Sequence, residues 1–471
     1  MPALTYDDAA HLLRRMAFGG SPDEIKALPL KSRERAVDAL LNYEAIDNSA
    51  LESRLQKSFN PKRFTPNDDL QLWWVIRMVL TARPFEEKMT FFWHNHFASA
   101  LDKVPYPLMY LQNQTLRAAA LDRFDALLLK VAQDPAMLVW LDGITNVLGN
   151  PNENFARELQ ELFTMGIRDV VTGDANYSER DVKEIARAFT GWKFRQKGDK
   201  KVRVNFFVEE NEHDTTVKEI YGQQANFSGE DVITVICARR ATARFLVKKL
   251  FEFFVYPLAD SAEDRATIEK FANVYFSNNH SIKELLRAIF TSDEFFSARA
   301  RFALVKSPAE LIAGAIRLLA EDYNPGNIEN GDYDLYNQFR RMGLDLLNPF
   351  DVSGWKLNLG WLNTATVLER YNFANALLSN RDDSKHAIGA RVRSETLKAH
   401  TDASAEKTVR NFLELLGPLA VSAQTIGLLV DYLQTDDDGT PVTFAVNDDI
   451  IDKQVRGLVY LLMCLPEFQM N

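Results

Sequence analysis

Residue types that could perform chemistry are concentrated between His94 and Lys218. His94 and His96 lie together in the segment Trp93–Phe97. An imidazole can act as a general base or bind a metal ion. Residues two positions apart in a helix point roughly 200° apart, so both rings can bind one metal only if the helix ends there. Apolar residues surround the pair on all sides, which predicts burial and leaves a purely structural role open.

A second cluster, this one acidic, follows in the segment 151–163. Glu158 and Glu161 lie one turn apart on one stripe of a predicted helix, where two carboxylates could share a metal or act as an acid/base pair. Arg157 would then bind an anionic substrate or product. The alternative is a surface ladder of ion pairs, since Glu153 precedes Arg157 by four residues in the favourable order.

The third candidate is the loop that carries His213 and Asp214. An imidazole beside a carboxylate can be a base with its orienting partner, or the two can be metal ligands. The alternative is an exposed loop pair with no shared role. Lys218, a few residues on, could supply positive charge for an anion. We interpret the remaining single histidines as structural or surface residues: His11, His280, His386 and His400.

Two hypotheses follow from these clusters. The first is an enzyme, a metal-dependent hydrolase or oxidoreductase, whose candidate catalytic residues are His94, His96, Glu158, Glu161, His213 and Asp214. Its substrate would be bound by Arg157 and Lys218. A divalent zinc, manganese or iron ion would be bound by His96, Glu158 and His213. The second hypothesis is a non-catalytic helical scaffold or interaction protein, in which the same side chains brace the fold.

Composition restricts the function classes. The 471 residues carry a formal net charge of -10, which argues against a nucleic-acid-binding protein. Two distant cysteines build neither a disulfide framework nor a thiolate metal site. The sequence has no phosphate-binding loop, dinucleotide fingerprint or nucleophile elbow. With no signal peptide or transmembrane run, the chain as written is predicted to be cytoplasmic, and trimming of the N-terminus would leave export open.

Helical periodicity dominates the chain and predicts a mainly α, multi-helical body. A small β-hairpin insertion is expected near residues 192–208, with strands at Trp192–Arg195 and Val202–Val208. Ser178 and Asp181 form a capping box at the start of one helix, and Gly191 follows its end. Helices are predicted at Phe85–Phe97, Gln112–Ala132, Glu153–Thr164 and Glu179–Thr190, and the first and third of these carry candidate residues.

The predicted organisation has four parts. Residues 1–230 form an N-terminal helical region that carries the hairpin and the candidate site. Residues 231–380 form a central helical region, residues 381–405 a charged linker or arm, and residues 406–471 the C-terminal helices.

Several longer strings resemble a bacterial family, the domain of unknown function 1800 family. The strings that carry the resemblance contain the same histidines and carboxylates that were chosen above for their chemistry. This favours a joint role for these residues. It implies no particular activity. It does imply a partner, because genes of this family commonly lie beside one for a protein of the sulfatase/alkaline-phosphatase-like superfamily. The strings that carry it are HLLRRMAFG (11–19), FFWHNHF (91–97), DPAML (134–138), PNENFARELQELFTMG (151–166), DVKEIARAFTGW (181–192), HDTTVK (213–218) and DVSGW (351–355).

Overall fold

The structure is a computed structural model. It describes residues 3–60, 69–197, 203–320, 323, 333–379, 388, 390–436 and 438–471.

Helices make up most of the described chain. In the first half they are α1 (Tyr6–Met16), α2 (Pro22–Ala27), α3 (Arg33–Leu41), α4 (Ser49–Ser58), α5 (Asp69–Leu80), α6 (Pro84–His96), α7 (Tyr106–Ala118), α8 (Phe124–Ala132), α9 (Pro135–Trp140), α10 (Asn154–Glu161) and α11 (Glu179–Ala188). In the second half they are α12 (Gly229–Cys237), α13 (Arg240–Phe254), α14 (Ala262–Ser277), α15 (Ile282–Thr291), α16 (Pro308–Leu319), α17 (Tyr333–Arg341), α18 (Thr364–Leu378), α19 (Ser394–Ala399), α20 (Ala405–Leu415), α21 (Ala423–Leu433), α22 (Asp448–Ile450), α23 (Arg456–Cys464) and α24 (Pro466–Gln469).

Two small antiparallel sheets interrupt the helices between α11 and α12. The first pairs β1 (Trp192–Lys197) with β2 (Arg203–Val208), and the second pairs β3 (Lys218–Ile220) with β4 (Gln223–Ala225). The predicted hairpin is confirmed, whereas the second sheet was not expected. The tip of the hairpin, residues 198–202, lies outside the described residues.

The start of α11 and the turn from α11 into β1 match the capping box and the glycine predicted from the sequence. Ser178 accepts a hydrogen bond from the amide of Asp181, and the Asp181 carboxylate accepts one from the amide of Ser178, which confirms the capping box. Gly191 follows the end of α11 with φ of +77°. A Cβ at that position would lie 2.7 Å from the carbonyl oxygen of Glu209. Glycine therefore lets α11 run directly into β1.

One predicted helix, Gln112–Ala132, is wrong as a single element. Helix α7 ends at Ala118 and α8 begins at Phe124. Between them the amide of Phe124 donates to the carbonyl of His280 at 2.9 Å, and the amide of Ile282 donates to the carbonyl of Asp122 at 3.2 Å. This pairing with a distant loop takes the backbone groups that would continue the helix.

Two large hydrophobic cores lie on either side of α6. Phe91 belongs to the first core together with Trp74 and Trp355. Phe92 and Trp93 belong to the second. The position of α6 between two cores explains why apolar residues occupy every side of this helix.

The mainly α fold class is confirmed, and the division into four regions stays a prediction. Of the predicted arm at 381–405, residues 381–387 and 389 lie outside the described part, and α19 occupies Ser394–Ala399. No helix within the described ranges is long and apolar enough to cross a membrane.

Candidate functional site

The two histidines of α6 point into different cores. The His94 ring lies 5.5 Å from the Trp74 ring and 5.6 Å from the Trp355 ring. The His96 ring stacks on Phe92 at 5.9 Å and lies 6.4 Å from Phe163. The helical geometry argument is therefore correct, because the side chains leave the helix in different directions.

His94 is fully buried, and neither ring nitrogen has a hydrogen-bond partner among the described residues. Burial lowers the pKa of His94 to about 3. The ring is consequently neutral near pH 7 and packs as an aromatic residue between two tryptophans.

His96 is also buried, and its Nε2 donates to the carbonyl oxygen of Phe163 at 3.0 Å. Burial, with a smaller contribution from the charge of Lys249, lowers its pKa to about 3. This hydrogen bond ties the end of α6 to the residues just after α10. It also fixes the neutral tautomer, with the proton on Nε2.

Asn95, between the two histidines, was not singled out from the sequence. Its Oδ1 accepts a hydrogen bond from the amide of Trp355 at 2.6 Å. Gly354 has φ of +80°, and a Cβ there would lie 2.3 Å from Asn95 Oδ1. The signal was present in two strings, FFWHNHF and DVSGW, but only the structure shows that they touch.

The acidic helix α10 carries the ion-pair ladder that was proposed as the alternative. Arg157 pairs with Glu153 at 3.3 Å and with Glu179 of α11 at 2.8 Å. Glu161 accepts a hydrogen bond from the hydroxyl of Tyr177 at 3.1 Å. Glu158 is half-buried, and burial together with the nearby charge of Glu161 raises its pKa.

The loop of His213 is held against the end of α11. His213 Nδ1 donates to the carbonyl oxygen of Thr190 at 2.8 Å, and the amide of Asp214 donates to the hydroxyl of Thr190 at 2.8 Å. The Asp214 carboxylate accepts from Arg187 Nε at 2.8 Å. Burial alone would raise the pKa of Asp214, but hydrogen bonds from Arg187 and Thr216 bring it well below its usual range.

Lys218 is buried beneath the same loop. Its Nζ donates to the carbonyl oxygens of Asp214 at 2.6 Å and Thr216 at 3.0 Å, and to Asn226 Oδ1 at 3.2 Å. Burial lowers its pKa. All three ammonium protons can thus be used within the loop, which makes Lys218 a brace of the loop.

The predicted site residues lie on α6, α10 and the loop 213–218, and the two histidines of α6 point in different directions. Within the described ranges, no group of three His, Cys, Asp or Glu side chains could hold a metal ion. The assignment of a divalent metal to His96, Glu158 and His213 stays a prediction, as do the catalytic roles. Hydrogen bonds of His96, Asn95, His213 and Asp214 join the family strings to one another.

Comparison with known proteins gives the family. No curated protein and no solved structure matches the chain. The family model described as "Protein of unknown function (DUF1800)" matches residues 11–470, nearly the whole length. The resemblance carried by the strings is confirmed, and the chain belongs to the DUF1800 family.

Proposed function

We propose that the chain is a helical scaffold that binds a partner protein through a surface beside His213. The observation that carries this proposal is that the polar side chains of the family strings join those strings to one another. The joining contacts are His96 to the Phe163 carbonyl, Asn95 to the Trp355 amide, His213 to the Thr190 carbonyl and Asp214 to Arg187. These contacts support a structural role for residue types that would also suit catalysis.

The binding surface is the His213 rim, which we define as Ile144, Leu148, His213 and Val217. Three of these side chains are apolar and exposed, at 36%, 52% and 64% for Ile144, Leu148 and Val217. Leu148 is held close to the loop, because its amide donates to the carbonyl of Glu212 at 2.7 Å. Arg187, which binds Asp214, also donates to the carbonyl of Val217 at 3.3 Å. Clustered exposed apolar side chains mark protein-interaction sites.

The proposed partner is a protein of the sulfatase/alkaline-phosphatase-like superfamily, the kind of protein whose genes commonly lie beside genes of this family, as the family resemblance implies. The net charge of -10 favours a protein partner over a nucleic acid. An apolar rim surrounded by hydrogen-bonded loop backbone suits a partner that binds without rearranging the loop.

The test is to purify both proteins and measure the dissociation constant of their complex by biolayer interferometry. Leu148→Asp places a charge in the rim and should weaken binding at least about tenfold, since a buried unpaired charge is costly. Leu428→Asp is the matched control, because Leu428 is 63% exposed on α21 and is not part of the rim. Absence of binding by the unaltered chain, or equal binding by Leu148→Asp, would refute the scaffold proposal.

A metal-dependent enzyme is the second candidate, and the orientation of His213 favours it. Its Nδ1 is bound to a backbone carbonyl, which leaves the Nε2 lone pair available, as in many metal-binding histidines. Elemental analysis of the same purified protein separates the two functions. One equivalent of zinc, manganese or iron that is lost in His213→Ala would place the enzyme first.

A further inference from the structure

Lys249 on α13 is a half-buried lysine with an aromatic neighbour. Its Nζ lies 5.4 Å from the centroid of the Phe245 ring, one turn earlier on the same helix. Among the described residues, none forms a hydrogen bond or an ion pair with this ammonium. Burial lowers the pKa of Lys249, while the charge of Glu252 raises it and that of Lys248 lowers it by smaller amounts. At a given pH, a larger share of this amine is therefore neutral than in an ordinary lysine.

Lys248, the preceding residue, provides a comparison within the same helix. It is also half-buried, but its Nζ lies 3.9 Å from Oε1 of Glu252 in an ion pair. The two adjacent amines thus have the same chemistry in different surroundings.

The other lysines with a pKa lowered by burial, within the described part of the chain, are all inaccessible and hydrogen-bonded. They are Lys88, Lys218 and Lys306, and their ammonium groups donate to carbonyl oxygens. Lys249 is therefore the described lysine in which a lowered pKa, partial exposure and the lack of an acceptor occur together. A neutral, reachable amine is what a nucleophilic lysine requires.

Two of the family strings contact the same Phe245 ring. The His96 ring lies 6.5 Å from it, and a Cβ at Gly166 would lie 3.3 Å from its edge. Nδ1 of His96 is buried and has no hydrogen-bond partner among the described residues. The charge of Lys249 is close enough to His96 to lower its pKa further. Lys249 therefore lies where α13 meets the strings 91–97 and 151–166.

Glu252 supplies a carboxyl group next to Lys249. Side chains three residues apart are neighbours on the surface of a helix. Oε1 of Glu252 accepts a hydrogen bond from the amide of Leu258 at 3.3 Å. Burial raises the pKa of Glu252, so its carboxyl group can act as a proton donor closer to neutral pH than an ordinary glutamate.

We propose that Lys249 is a nucleophilic amine that forms an imine with a small aldehyde whose substituent is apolar. The neutral amine attacks the carbonyl carbon and forms a carbinolamine. Glu252 then protonates the carbinolamine hydroxyl, which leaves as water, and takes a proton back from the nitrogen. The carbonyl oxygen thus leaves with the two protons of the amine, and nothing is oxidised or reduced. The apolar substituent would lie along Phe245.

This activity goes beyond the proposed scaffold function, because Lys249 and the His213 rim lie on different elements. Loss of one would leave the other intact.

The probe is benzaldehyde with sodium cyanoborohydride, applied to the full chain near neutral pH. Cyanoborohydride delivers hydride to the imine carbon and leaves a benzyl group on the lysine, and peptide mapping by mass spectrometry gives the rate at each residue. Lys249 should be labelled at least about tenfold faster than Lys248, because the neutral amine is the nucleophile. Equal or slower labelling of Lys249 would overturn the proposal.

Two further measurements separate this site from general lysine reactivity. The labelling rate of Lys249 should reach its plateau at a lower pH than that of Lys248, and coincident pH profiles would contradict a neutral amine. Glyoxylate carries a carboxylate in place of the ring, so the ratio of Lys249 to Lys248 labelling should be lower with glyoxylate than with benzaldehyde. An equal ratio would overturn the assignment of an apolar substituent.

Two variants test the roles of the residues. Lys249→Arg keeps the positive charge and should leave the labelling rate of Lys248 unchanged while position 249 takes no label. In Glu252→Gln the loss of negative charge by itself favours the neutral Lys249 amine and would speed its labelling. Because glutamine cannot protonate the leaving hydroxyl, we expect labelling at least about tenfold slower instead. A faster or unchanged rate would overturn the role of Glu252.

Discussion

At the residue scale, the imidazoles of α6 show how burial changes the chemistry of a side chain. His94 and His96 both have a pKa of about 3, against an ordinary value of 6.5, because burial penalises the charged ring. A neutral ring inside an apolar core can pack and hydrogen-bond, but it cannot take up a proton near pH 7 without unfolding its surroundings.

This burial makes folding depend on pH. Each histidine has a lower pKa in the folded chain than in the unfolded chain, so its contribution to stability is present above pH 6.5 and is lost as the pH falls toward 3. We expect His94→Leu to flatten the plot of unfolding free energy against pH between pH 6 and 4, by up to about 1.4 kcal/mol per pH unit. Urea titrations at several pH values measure the slope.

His96→Leu should flatten the plot similarly, but it also leaves the Phe163 carbonyl without its donor and so lowers stability at pH 7 by about 1–3 kcal/mol. An unchanged slope in both variants would mean that the rings are protonated inside the folded chain.

At the element scale, α6 and the loop 351–355 lie in close contact. Asn95 accepts the amide hydrogen of Trp355, and Gly354 leaves the space for this contact. The loop then holds Trp355 against Phe91, with ring centroids 5.7 Å apart. One loop therefore closes the first core over α6.

Gly354→Ala should disturb this closure. Its φ of +80° is unfavourable for alanine and the new Cβ would meet Asn95 Oδ1, so we expect a loss of about 1–3 kcal/mol of unfolding free energy. Gly427→Ala is the control of opposite sign, because Gly427 lies inside α21 with open space around it. There alanine should stabilise the helix by about 0.5–1 kcal/mol. Denaturant unfolding measures both, and equal effects would contradict the steric argument.

Periodicity and capping motifs in the sequence predicted the helices and the hairpin well. They did not predict contacts between segments that are distant in the sequence. The period of 3.6 predicted α6 and α11, and the capping box and Gly191 placed both ends of α11. The break between α7 and α8 was missed because it arises from pairing with residues 280–282. For the candidate site, spacing predicted that His94 and His96 diverge and that Glu153 could pair with Arg157. It could not place Asn95 against Trp355, 260 residues away.

At the scale of the whole molecule, α6 contributes buried side chains to both cores. Phe91 packs in the first core and the adjacent Phe92 in the second. Glu87, fully buried on α6, binds Arg77 of α5 at 2.6 Å and Arg117 of α7 at 2.7 Å. Those two arginines lower its pKa to about 2 against the effect of burial. The helix is thus fixed to its neighbours by charge as well as by packing.

Shared use of α6 should make the two cores unfold together. Phe91→Ala and Phe92→Ala each open a cavity on a different side of the helix and should each cost about 3–5 kcal/mol. We expect both variants to lower the midpoint of one thermal transition in differential scanning calorimetry. A melt that splits into two transitions in either variant would show that the cores are independent.

The hydrogen bond between Asn95 and Trp355 has a consequence for exchanging parts between relatives. Consider a chimera that takes its first hundred residues from one family member and the rest from another. Its α6 asparagine and its loop 351–355 would come from different parents, so the close contact between them would not be matched in shape. Swaps should therefore be made in pairs, with the α6 string and the loop 351–355 drawn from the same parent. The same reasoning applies to the strings that meet at Thr190 and His213, so the useful unit of recombination in this fold is a pair of distant segments.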